Sequence, residues 1–341
     1  MPVGTYGAVK AMAPWELEAM GARLILSNAY HLALRPGAAA IARQGGLHRF
    51  MGWSNAILTD SGGFQIFSLK DMRKVDERGV EFRSHIDGSR HRFRPEDVIE
   101  IQEQLGVDVA MVLDECPAGD APRAEVEAAL ERTTRWARRA RAARSRRDQQ
   151  VFAIVQGGLD AELRRRSVAE LVDLDFDGYA VGGLSVGEAR EATHRIAEHT
   201  VGLLPESKPR YLMGVGTPEE LVRLTSMGFD LFDCVLPTRN ARNGMAFTST
   251  GRVAIRNSAN REDTGPLDPA CGCPTCKNFG RGYLRHLFVS GEILAARALT
   301  THNLYFYLDR MARLRAALEE GRFEEEAAAF LAVASGEKKG N

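Results

Sequence analysis

Three cysteines crowd into Cys271-Gly-Cys273-Pro-Thr-Cys276, while the other two, Cys116 and Cys234, stand alone. Thiolates at that spacing supply three corners of a tetrahedral soft-metal site, and His302 and His286 are candidates for the fourth. Four protein ligands leave no open position, so the expected zinc (Zn2+) is structural. A second set of reactive groups is dispersed: Asp60-Ser61-Gly62-Gly63, Asp114-Glu115-Cys116, Gln156-Gly157-Gly158, Gly182-Gly183, Gly214-Val215-Gly216 and Asp233-Cys234. Each follows a short apolar stretch. Taken alone, an Asp or Gly in such a place is a turn or helix-cap residue. Six in register are expected to converge on one mouth, bringing three carboxylates and an amide together. Two carboxylates facing one bond suit glycosidic chemistry, one as nucleophile and one as acid/base. The Gln and the third Asp add donors and acceptors suited to the edge of a nucleobase. Phe64 and Met213 offer apolar platforms above and below such a ring, core packing being their plainer use.

The elements that must carry these groups are the apolar stretches 24–26, 57–59, 109–113, 151–155, 178–181, 211–213 and 231–232. They alternate with helical patterns at 95–105, 122–147, 161–172, 187–199 and 218–227. This rhythm predicts parallel strands buried on both faces. With Pro2-Val3-Gly4 as the tail of an eighth strand, the fold class is α/β, a TIM (β/α)8 barrel whose chemistry gathers at the strand C-termini. A doubly wound sheet is disfavoured, because no glycine-rich phosphate loop follows the first strand. Residues 79–93 alternate as a hairpin and read as an insertion. After Met245 the pattern changes, which predicts a catalytic barrel over 1–244 and a C-terminal zinc-binding subdomain over 245–310, set at the last barrel strand. C-terminal helices are expected over 311–341, with the end past Gly336 frayed.

Lys plus Arg and Asp plus Glu number 45 each in 341 residues, with 44% hydrophobic and 26% charged residues. That is an ordinary globular composition. No apolar run approaches the roughly 20 residues of a membrane helix, and no secretory leader is visible. A cytoplasmic protein with reduced thiols and no membrane partner is expected. Zero net charge argues against holding nucleic acid by bulk charge alone, but the charges are segregated. Between Asp233 and Glu262 there is no acid, while Arg239, Arg242, Arg252, Arg256 and Arg261 fall there. A phosphate backbone passing the mouth would meet them. A second run, Arg132 to Arg147, holds eight arginines and no acid. A solvated helix face explains that run as well as an RNA contact does.

The segments Thr59 to Gln65, Asp114-Glu115-Cys116, Tyr179 to Glu188 (YAVGGLSVGE), Tyr211 to Gly216 (YLMGVG) and Phe232 to Gly244 (FDCVLPTRNARNG) resemble tRNA-guanine transglycosylases. The cysteine cluster with its distant histidine does so too, and the resemblance runs from Met1 to about Phe323. It implies a zinc-containing TIM barrel acting on tRNA at the anticodon loop. Guanine at the wobble position is exchanged there for a precursor of queuosine, in tRNAs for Asp, Asn, His and Tyr. Carried over to matching positions, Asp233 is the nucleophile that attacks the ribose anomeric carbon and Asp60 the general acid/base. Ser61, Gly62 and Cys116 line the base site. Asp114, Gln156, Gly182 and the Gly183 backbone read the base, and the Leu184 carbonyl accepts from an incoming aminomethyl group. Phe64 and Met213 sandwich the ring, while Thr238, Arg239, Asn240 and Arg242 contact RNA. Cys271, Cys273, Cys276 and His302 bind one zinc per subunit.

Members using the larger queuine base carry glycine and valine where Val186 and Cys116 stand here. The resemblance therefore implies preQ1 (7-aminomethyl-7-deazaguanine) as incoming base, guanine as leaving base, and a homodimer. Family members begin earlier, with strands that close the barrel floor, so the N-terminal strands are expected to be missing. A non-catalytic RNA-binding subunit of such an enzyme is the first rival, disfavoured because Asp60 and Asp233 are both present. An archaeosine-type transglycosylase would carry further C-terminal RNA-binding domains. A glycosidase acting on sugars would show a row of aromatic platforms.

Overall fold

The computed structural model describes residues 1–67 and 73–334. In chain order its strands are β1 (Leu24–Asn28), β2 (Ala56–Asp60), β3 (Arg73–Asp76), β4 (Gly79–Arg83), β5 (Arg90–Phe93), β6 (Val109–Met111), β7 (Gln150–Val155), β8 (Gly178–Val181), β9 (Arg210–Leu212), β10 (Leu231–Phe232), β11 (Met245–Thr248) and β12 (Gly251–Ala254). Seven of them make one curled parallel sheet in the order β1-β2-β6-β7-β8-β9-β10. Strands such as β8, buried at every residue, explain the uninterrupted apolar stretches of the sequence.

The two edges of the sheet are joined by the first residues. Val3 bridges Leu26 of β1 in parallel, and the Leu26 amide donates to the Pro2 carbonyl at 2.9 Å. The Met1 nitrogen donates to the Phe232 carbonyl of β10 at 2.7 Å. Residues 1–4 thus hold the eighth place around a barrel, as expected from Pro2-Val3-Gly4. Its C-terminal end gathers Asn28, Asp60, Asp114 and Asp233.

Helix boundaries differ from the sequence reading where side chains capture the backbone. The helix expected over 122–147 is Arg123–Ala143. It stops because the Arg144 guanidinium turns onto the Arg146 and Gln149 carbonyls and the Asp177 carboxylate. The helix expected from residue 187 begins at Arg190. Glu188 ahead of it accepts from the Ser185 and Val186 amides, at 2.5 and 2.9 Å, which holds 185–189 as a loop. The hairpin expected over 79–93 is β4–β5, and a further strand, β3, pairs antiparallel with β4 to make a three-stranded sheet. Its extra strand, Arg-Lys-Val-Asp, carries too few apolar residues to announce itself.

Past β10 come the helix Leu236–Arg242, the β11–β12 hairpin, the cysteine knuckle and the long helix Ile293–Glu319, which runs through residue 310. Asn303 on that helix fastens the pieces together. Its amide donates to the Pro237 and Met245 carbonyls at 3.0 and 2.9 Å and accepts from the Phe247 amide at 3.0 Å. The region that carries the cysteine knuckle is therefore bolted to the helix that follows Asp233. The tail past Gly336 lies outside the described residues. No helix among the described residues is long and apolar enough to cross a membrane.

Candidate active site

A cavity of about 470 Å³ opens at the C-terminal mouth of the barrel. Asp60, Ser61, Gly62, Phe64, Asp114, Cys116, Gly182, Gly183, Leu184, Met213, Asp233 and Arg239 all line it, so most of the expected site is brought together. Asp60 ends β2, where Asn28 of β1 donates to its Oδ2 at 2.5 Å and Gln65 does so at 3.2 Å. Burial first, then the negative charge of Asp233, pushes its carboxyl up to about 7. Asp233 follows β10. Its Oδ1 accepts from the Tyr211 hydroxyl at 2.5 Å and the Gly214 amide at 2.7 Å. Two donors on one oxygen fix the carboxylate and leave Oδ2 without a hydrogen bond among the described residues. One carboxyl poised between protonation states thus faces another held as an acceptor.

Asp114 is 6% exposed, and burial raises its carboxyl to about 6. The Gln156 amide donates to its Oδ2 at 2.6 Å and the Ser61 hydroxyl reaches Oδ1 at 3.3 Å. Gln156 does not itself line the cavity. It is 1% exposed behind the Gly182-Gly183 turn, and its Oε1 is a buried acceptor without a partner among the described residues. Gly183 must be glycine, because its φ is +65° and a Cβ there would stand 2.4 Å from that Oε1. Its amide donates to nothing among the described residues. Phe64 is 58% exposed and Met213 half-buried, so both present surface to an incoming ring.

The remaining expected residues lie further out. Arg239 and Arg242 are exposed on the helix Leu236–Arg242 and Asn240 is half-buried, but Thr238 is buried with its hydroxyl on the Val235 carbonyl. None of Arg239, Arg242, Arg252, Arg256 or Arg261 pairs with a carboxylate among the described residues. The other run behaves oppositely. Arg132, Arg135, Arg139, Arg144 and Arg146 are engaged by Glu115, Glu77, Glu96, Asp177 and Asp148. Structural ion pairs account for five of the eight arginines, while Arg138, Arg141 and Arg147 are exposed and pair with no carboxylate among the described residues.

Sequence reasoning missed Asn28, Tyr211 and Arg164. Asn28 ends the first sheet strand, where no Asp or Gly drew attention to it. Tyr211 sits within an apolar strand stretch, where nothing in the sequence marks its hydroxyl for a carboxylate.

At the knuckle, the donor atoms of Cys271, Cys273, Cys276 and His302 all lie within 4.8 Å of one another. His302 Nε2 meets the Phe247 carbonyl at 2.7 Å, so that nitrogen carries the proton and Nδ1 is left bare. Nδ1 faces the Cys276 and Cys273 sulfurs at 3.2 and 3.5 Å. The tautomer and the three thiols fit a tetrahedral metal ion. His286, the other candidate, is exposed on the helix Arg281–Val289 and stands outside the cluster.

A barrel with two carboxylates lining one cavity at its mouth and a Cys3His knuckle able to hold a metal ion defines a scaffold suited to glycosyl transfer. The family model for queuine tRNA-ribosyltransferase matches residues 1–335. Among curated relatives, the queuine tRNA-ribosyltransferase of Pelotomaculum thermopropionicum is 56% identical over 322 residues, covering 94% of this chain and 87% of that one. That of Moorella thermoacetica is 55% identical, covering 97% and 88%, and that of Nitratidesulfovibrio vulgaris 53%, covering 98% and 89%. This chain belongs to the queuine tRNA-ribosyltransferase family, and it is a tRNA-guanine pentosyltransferase.

Proposed function

We infer that the protein exchanges guanine at the anticodon wobble position of tRNAs for Asp, Asn, His and Tyr for preQ1, through a covalent Asp233–ribose intermediate. The observation that carries this reading is the meeting of Asp60 and Asp233 around one cavity, beside the Asp114–Gln156 pair. Asp233 Oδ2 bonds to the anomeric carbon as the glycosidic bond to guanine breaks. Asp60 gives the leaving base its proton and then takes the N9 proton of the incoming base, so the exchange is proton-neutral. Asp114 accepts from the N1–H and 2-amino edge, which both bases share. Arg239, exposed at the rim and unpaired among the described residues, meets the phosphate backbone that must splay the target base outward.

The incoming base is limited by a wall. Val186 and Cys116 line the cavity, and a second cavity of about 270 Å³, lined by Pro117, Gly119, Gly158, Gly183 and Glu188, lies behind. A Cβ on Gly119 would stand 3.1 Å from Val186 Cγ2, so the wall is packed. It suits an aminomethyl substituent, capped by the Leu184 carbonyl, better than a cyclopentenediol. In competition between equimolar preQ1 and queuine, mass spectrometry of nucleosides from the product tRNA is expected to show preQ1 dominant by at least about tenfold, a steric mismatch of roughly 1–3 kcal/mol. Equal incorporation would overturn this specificity.

The Cys3His knuckle holds zinc in this reading, as a structural ion, because its four ligands leave no position open. Cys273→Ser is expected to lose the metal and lower Tm by about 10 °C, the shift of a loss of roughly 3–5 kcal/mol. One equivalent of zinc retained by the purified variant would contradict it. Assembly as a homodimer rests on the family resemblance alone.

A further inference from the structure

Arg164 has no place in the exchange as described, yet it is the most unusual buried group near the site. It lies on the helix Ala161–Val172, is 0% exposed, and touches no carboxylate among the described residues. Four neutral carbonyls surround it. Nε donates to Gly158 O at 2.9 Å, Nη1 to Val155 O at 2.9 Å and Gly182 O at 2.8 Å, and Nη2 reaches Gly183 O at 3.5 Å. Burial lowers the guanidinium only to about 10, so it remains a cation at neutral pH. A buried charge satisfied only by carbonyls is costly unless its position is useful.

Its partners suggest the use. Val155 precedes Gln156, and Gly182 and Gly183 form the turn at the back of the base cavity. The Gly182 carbonyl belongs to the same peptide unit as the Gly183 N–H. A cation hydrogen-bonded to that oxygen draws electron density from the unit and strengthens the N–H as a donor. That N–H, at the cavity wall, donates to nothing among the described residues. On the edge of guanine that a carboxylate reads through N1–H, the neighbouring acceptor is the 6-oxo group.

We propose that Arg164 is a positioning residue for base recognition: it fixes the Gly182-Gly183 turn and polarises the Gly183 amide toward the 6-oxo oxygen of the base. This rests on the transglycosylase reading above. Removing the fork or the charge then weakens recognition of the 6-position specifically, and leaves the RNA-binding rim untouched.

The test compares guanine with 6-thioguanine, which keeps N1–H and the 2-amino group but offers a weak acceptor at position 6. Arg164→Lys keeps the charge without the fork, and Arg164→Gln keeps a neutral donor; both are assayed as folded full-length protein by dissociation constants for each base and by KM for tRNA. The wild type is expected to prefer guanine. In the variants that preference is expected to shrink by about tenfold, through weaker guanine binding, the worth of one charge-assisted hydrogen bond, with KM for tRNA unchanged. Equal weakening of both bases, or an unchanged preference, would overturn the proposal while leaving the transglycosylase reading intact. Wild-type protein that binds neither base would overturn that reading and this proposal together.

Discussion

Asp233→Asn is expected to form no covalent adduct with tRNA on a denaturing gel, and to lose base exchange by roughly 10⁴- to 10⁶-fold. The substitution is close to isosteric. Asn keeps an oxygen to accept from the Tyr211 hydroxyl and the Gly214 amide, the two bonds that hold Asp233 Oδ1 at 2.5 and 2.7 Å. What it removes is the second carboxylate oxygen, which makes no hydrogen bond among the described residues. An amide nitrogen there cannot trap an oxocarbenium-like centre as an ester. The fold is expected to survive, because the carboxylate serves no salt bridge among the described residues. An adduct of normal yield from Asp233→Asn would assign the nucleophile elsewhere, with Asp60 as the next carboxylate in reach.

Asp60→Asn is expected to reduce exchange by about 10²- to 10⁴-fold, the usual worth of a general acid/base, while tRNA still binds. A second signature separates this role from mere packing. Burial and the charge of Asp233 raise the Asp60 carboxyl from 3.8 to about 7. A carboxyl whose folded value lies above its unfolded value favours the native state at low pH, and that stability is lost as pH rises through the folded value. The loss therefore falls between about pH 4 and pH 7, and Asp114, raised to about 6, adds to it in the same direction. Thermal melts of Asp60→Asn are expected to exceed wild type at pH 8, with the gain fading by pH 4. A gain that is constant with pH, or an exchange rate within tenfold of wild type, would remove Asp60 from the role.

The barrel was legible because parallel strands buried on both faces must be apolar end to end, and 178–181 and 151–155 are. The carboxylates were legible because each closes such a run, and the knuckle because three cysteines fall within six residues. What escaped notice depends on contacts distant in sequence. Asn28 matters only because β1 lies beside β2 and brings its amide to Asp60. Arg164 reads as one more charge on an amphipathic helix until its burial is seen. The arginines of 132–147 show the converse: a charge run cannot reveal that its acids lie on Glu77, Glu96 and Asp177, dozens of residues away. Between Asp233 and Glu262 the arginines pair with no carboxylate among the described residues, while five of the eight in the earlier run are neutralised, which reconciles a net charge of zero with a polyanionic substrate.

Exchange of radiolabelled guanine into unmodified tRNA tests the whole reading most directly. Label is expected to enter tRNAs carrying guanosine at the wobble position, to stay out of a transcript with adenosine there, and to be chased out by excess preQ1. Label that enters regardless of the wobble base, or wild-type protein with full metal content that incorporates none, would contradict it.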